Sequence, residues 1–226
     1  MSRDPELQAA AAALAAVFET SVVGPDGRIR VEDLLSAAAA VCGEACIAAA
    51  GEFDPEDHSY TPGSAVLSQQ VNQVLCADAQ EWDHAGDSVF GIVRERGLAN
   101  GYQPEHFPPI LEPIEHYVAS LVSPAGDPQA RWGRVALSVP EANWPHFQPL
   151  RRAYEIRAAA NKVYADLKIE RVERPSACAI ALAVELARVR QAIDPGIAIR
   201  IVLETVNGMA KMAPMTERHM REATAG

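Results

Sequence analysis

A chain of 226 residues, 49% of them hydrophobic, can bury roughly 70–75% of its unfolded surface without help from a metal or a disulfide. Its formal net charge of −10 is unevenly spread: residues 1–130 carry 20 acidic and 5 basic side chains, and residues 131–226 carry 10 and 15. An acidic first half argues against general nucleic-acid binding, and the lack of any run near the roughly 18 apolar residues of a membrane span argues against a membrane protein.

The opening does not resemble a secretory signal, because Arg3 is followed at once by Asp4 and Glu6. Four cysteines, Cys42, Cys46, Cys76 and Cys178, form no CxxC pair, so neither a zinc knuckle nor a thioredoxin-type site is suggested. The expectation is a cytoplasmic protein with reduced, mostly buried thiols. The charge asymmetry reads first as two parts packing with complementary charge. Its second reading is a basic patch for an anionic ligand.

In chain order, Asp4-Pro5 opens a first helix with Leu7, Ala11, Leu14 and Phe18 on one stripe. The turn Gly24-Pro25-Asp26-Gly27 ends it. The segment resembles the second half of an EF-hand loop, but Val22 and Gly24 stand where calcium ligands belong. A helix–turn–helix corner with Ile29 turned into the core is expected instead. A second helix runs from about Val31 to Ala50, with Gly51 as its C-terminal glycine. Its small residues allow a neighbouring helix to come close. Cys42 and Cys46, four apart, share its apolar face, and a buried, unassisted thiol is inert.

Ser64 is expected to cap a third helix through Leu67, Val71 and Leu75, and Asp87 a fourth through Phe90 and Val93 that ends near Gly97. Two acidic loops carry Asp57-His58 and Asp83-His84, with Tyr60 and Trp82 close by. After Pro108-Pro109 comes a helix in which Pro113 must occupy the first turn. There Glu112, Glu115 and His116 stand at i, i+3 and i+4. That spacing can aim three metal-ligating groups at one point, and it can equally be a solvated helix face near a favourable dipole.

Residues 123–149 are rich in Pro, Gly and Trp and read as loop with one strand candidate, 134–139; they could hinge two helical subdomains of a single 1–226 domain. Next, Trp144, His146 and Phe147 precede Arg151 and Arg152 at a helix start near Pro149. Aromatic, donor and cation in one short segment suit an anionic ligand, and the same residues would serve to staple loop to helix. A long amphipathic helix follows, to about Lys168. The helix at 177–193 is apolar nearly all round and is expected to be central and buried. Glu185 interrupts it, and a buried carboxylate must be paired or neutral. Arg188 and Arg190 read as too close in sequence to share its direction, which leaves Arg200 or an arginine of another helix as the candidate partner. Asp194-Pro195 opens a helix to about Met212, although Ile197, Ile199 and Ile201 alternate as a strand would.

The reading is an all-α fold of about eight helices around the central apolar helix, with at most one or two short strands. No GxGxxG, GxxxxGK[ST], HExxH or GxSxG motif is present. Three functions remain, in order: a non-catalytic interaction or regulatory module with a protein partner or as a homo-oligomer; a small anionic-ligand-binding protein using Trp144, His146, Phe147, Arg151 and Arg152; and a metal-dependent enzyme using Glu112, Glu115 and His116 with histidines of the acidic loops.

Overall fold

In a computed structural model, which describes residues 4–51, 60–122 and 133–219, the chain is all-α. The described α-helices are α1 (Asp4–Ser21), α2 (Val31–Ala50), α3 (Gln69–Cys76), α4 (Val89–Ala99), α5 (Glu112–Val122), α6 (Pro149–Asp166), α7 (Arg174–Val189) and α8 (Pro195–Ala210). Among the described residues the β-structure consists of two isolated bridges, Val23 with Ile29 and Ala65 with Met212.

Local signals account for most helix ends. The Asp194 carboxylate accepts from Ile197 N at 3.0 Å and caps α8. Gly51, at φ 73°, closes α2 in the left-handed region. Pro113 falls in the first turn of α5, where its missing N–H costs nothing. Two caps lie elsewhere than expected. Ser68, not Ser64, accepts from Val71 N to start α3, because the backbone of Ser64 is already bonded to Ala213. Ser88, not Asp87, accepts from Gly91 N at the start of α4.

The apolar helix expected at 177–193 is present as α7 and is buried along most of its length. It shares the interior with α2 and α8. Helix α2 packs against both, while α7 also meets α1 and α4, and α8 also meets α5. The Ile197–Ile201 alternation belongs to the first turns of α8, where Ile197 is half-buried, and every residue from Ile201 to Thr216 is buried. Gly43 lets α2 and α8 approach: a Cβ there would stand 2.7 Å from Val206 O. Helix α2 is the one described helix long and apolar enough to cross a membrane, and 72% of its apolar window is buried inside the protein.

The strand candidate 134–139 pairs with no other strand among the described residues. Ser138 instead donates its backbone N–H (2.7 Å) and its hydroxyl to the buried Glu204 carboxylate on α8. Residues 123–132 of the expected hinge lie outside the described residues. The described part is fastened to α2 and α8. Ile29 is 37% exposed and forms its bridge with Val23 at the α1–α2 corner, so it does not plug the core. The corner itself is built on Gly27 at φ 74° and a Gly24 N to Arg28 O bond of 2.8 Å.

Acidic groups of the first part meet cations of the second across helix interfaces: Glu19 with Arg188, Glu44 with Arg157, and Glu112 with Arg200. The partner of Glu185 is Arg188, at 3.0 Å. The expectation that Arg188 points elsewhere is corrected by helix geometry, since residues three apart lie on one face. Burial pushes the Glu185 carboxyl up to about 7, with Arg188 opposing and Glu19 adding to the shift.

Candidate functional site

The segment singled out for its aromatics and arginines is turned towards the first turn of α2. Arg30 donates to Trp144 O and Ala142 O, both at 2.6 Å. Asn143 donates to Glu32 at 2.9 Å, and the His146 backbone N–H donates to Asp33 at 2.8 Å. The Trp144 indole N–H is satisfied by Val139 O at 3.0 Å. Arg152 covers the Phe147 ring with its guanidinium, 4.9 Å from the ring centre, and reaches Ser21 O and Glu155. Arg151 pairs with Glu155 on its own helix. The backbone of the segment is thus fastened to α1 and to the start of α2, while the His146 ring and the Arg151 side chain stay largely exposed and Arg152 Nε is buried without a hydrogen-bond partner.

Glu112, Glu115 and His116 all lie on α5. Glu112 is paired with Arg200, Glu115 is exposed, and His116 has a buried Nε2 without a hydrogen-bond partner. Among the described residues no three His, Cys, Asp or Glu side chains are placed to hold a metal ion. Of the two Asp-His pairs, Asp57-His58 lies outside the described residues, and Asp83 pairs with Arg94.

A different place collects cations. Helices α2 and α6 cross with small residues facing each other, and an open cavity of about 140 Å³ remains between them. On α2 its wall is Val41, Glu44, Ala45, Ile47 and Ala48, and on α6 it is Arg157, Ala160, Asn161 and Tyr164. Apart from Ile47, both sets follow the i, i+3, i+4, i+7 spacing of a single helix face. The alanines leave the space that larger side chains would fill. After α6 the chain reverses at Lys168, whose φ is 53°, and a 3₁₀ turn at Arg171–Glu173 leads into α7. That reversal brings Arg171 and Arg174 to the same cavity.

The cavity thus has three guanidinium groups against one carboxylate in an otherwise mostly apolar wall. Glu44 is taken up by Arg157, through hydrogen bonds of 3.0 Å from Nε and 2.6 Å from Nη2. Burial works against the Arg157 charge, but the charge and hydrogen bonds of Glu44 outweigh it and raise the guanidinium's affinity for its proton. Arg174 stacks over the Tyr164 ring at 4.9 Å. Its Nε is buried without a hydrogen-bond partner, and the guanidinium has no ion-pair partner among the described residues. Below, the Tyr164 hydroxyl meets Cys178 Sγ at 2.9 Å. Burial first, and Cys178 next, push that phenol well above its ordinary range, so it stays neutral.

Arg157, Arg171 and Arg174 were not singled out by the sequence reading. The signal available was the basic excess of the second half, together with Arg157, Asn161 and Tyr164 on one helix face. Comparison with known protein families, with curated proteins and with solved structures finds no match.

Proposed function

We propose that this chain binds a small anionic ligand, and that the ligand sits in the α2–α6 cavity rather than on the 144–152 segment. One observation carries the reading: Arg174 brings to a largely apolar cavity a guanidinium that has no ion-pair partner among the described residues. An anion in the cavity would supply the counter-charge and accept from the guanidinium. Titration calorimetry with small organic and inorganic anions tests this. Binding that weakens in Arg174→Met, which keeps the stem and loses the charge, is the expected result. No heat with any anion would refute it.

The interaction-module reading has its own support. Val118 and Leu121, three apart on α5, are 43% and 44% exposed, as a helix face awaiting a partner or a second copy would be. Light scattering tests the homo-oligomer: a monomer mass at all concentrations would remove that form of it. The metal-enzyme reading draws no such support, since Glu112 is already committed to Arg200.

A further inference from the structure

We propose, resting on the anion-binding reading above, that the ligand class is a monocarboxylate with a compact apolar body, aromatic or branched aliphatic, its carboxylate on Arg174 and its body against Val41, Ala45 and Ala160. Three observations lead there. The first is size. The cavity measures about 140 Å³, close to the roughly 150 Å³ of an engineered apolar cavity that takes up benzene. The space suits a six-membered ring or a short branched chain.

The second is charge. Glu44 is 11% exposed at its side chain and bound by two hydrogen bonds to Arg157, so that pair is closed. With that pair closed, the guanidinium of Arg174 is the cation offered to an incoming anion beside the apolar wall. The planar fork of a guanidinium also fits a carboxylate with two parallel hydrogen bonds.

The third is the wall itself. Val41, Ala45, Ala48, Ala160 and Pro214 present carbon to the interior of the cavity, and the Tyr164 hydroxyl is turned to Cys178. A ligand rich in hydroxyls would leave its own polar groups unpaired there. Asn161, exposed at the edge, and Arg171 are further side-chain donors in the same wall.

The experiment is calorimetry on the full chain at neutral pH with benzoate, 3-methylbutanoate, acetate, benzyl alcohol and inorganic phosphate. Benzoate or 3-methylbutanoate should bind at one site per chain. Acetate, lacking the body, and benzyl alcohol, lacking the charge, should each bind at least about tenfold more weakly, as expected for one lost favourable contact. Arg174→Met should weaken benzoate by a similar factor, and Ala160→Leu, which fills the cavity, should abolish it. Circular dichroism of each variant establishes that it is folded. Should Arg174→Met not fold, Arg174→Lys keeps the charge and removes the fork, and it should still weaken binding. Phosphate binding more tightly than the carboxylates, or benzyl alcohol matching benzoate, would overturn the ligand class. The phosphate result would leave the anion-binding reading standing. Unchanged benzoate affinity in both Arg174→Met and Ala160→Leu would move the site elsewhere and overturn the proposal. Absence of binding by every anion would overturn both.

Discussion

Replacing Gly43 by alanine adds one methyl group at a tight point between α2 and α8. The new Cβ would stand 2.5 Å from Met209 Cβ, 2.7 Å from Val206 O and 2.8 Å from Ala210 N. Comfortable contacts lie near 3.5–4.0 Å, so the helices must part by about 1 Å. Two of the three atoms are backbone of a buried helix, and no rotamer change moves them. Alanine is the better helix former by about 1 kcal/mol. Overpacking a core costs about 1–3 kcal/mol, and a helix displacement belongs at the upper end of that range. The net expectation is a loss of about 2 kcal/mol. Urea unfolding followed by tryptophan fluorescence measures it as a lower midpoint with an unchanged slope. A variant as stable as the parent, or more so, would show that α2 and α8 are not held in this contact.

Glu185 has its carboxyl raised from 4.5 to about 7. The folded state therefore favours the protonated form, and stability falls as pH rises from 4.5 to about 7, by up to about 3 kcal/mol. Glu185→Gln, neutral throughout, should remove that dependence; a stability difference between the two proteins that is flat with pH would refute the assignment. Lys211 is 2% exposed, and burial lowers its ammonium from 10.5 to about 8. Here the folded state favours the neutral amine, so stability rises as pH climbs from about 8 to 10.5. Lys211→Met should stabilise at neutral pH by up to about 3 kcal/mol, with the gain shrinking from about pH 8 and gone by about pH 10.5; equal denaturation midpoints at neutral pH would show that the ammonium is solvated. All four cysteines are free and buried, and burial raises the Cys42 thiol. A thiol reagent should label the native protein slowly and all four sites after denaturation, whereas rapid native labelling of Cys42 would mean that α2 opens.

Much of the α-helical layout is legible residue by residue. Asp194, Gly51 and Pro113 act within one turn of their own positions, so their roles survive whatever the rest of the chain does. Misplaced signals share one cause. Ser64 could cap a helix locally, but its backbone is taken by Ala213, about 150 residues away along the chain. Residues 134–139 have strand-like composition, and Glu204 supplies the bonding that a neighbouring strand would have supplied. The cluster Trp144, His146, Phe147, Arg151 and Arg152 reads as a site when its neighbours are unknown, and Arg30, Glu32 and Asp33 of α2 meet much of its bonding capacity.

What the sequence by itself determined is the all-α class, the positions of most helices and the burial of the apolar helix expected at 177–193, which the structure places at 174–189, because periodicity and capping are local physics. What the tertiary structure decided is which polar groups find partners. Arg157 meets Glu44 from 113 residues away and Arg200 meets Glu112 from 88, while Arg174 reaches the cavity and meets no acid among the described residues. The cavity exists because two alanine-bearing helix faces, distant in the chain, cross where neither supplies a side chain large enough to close the gap.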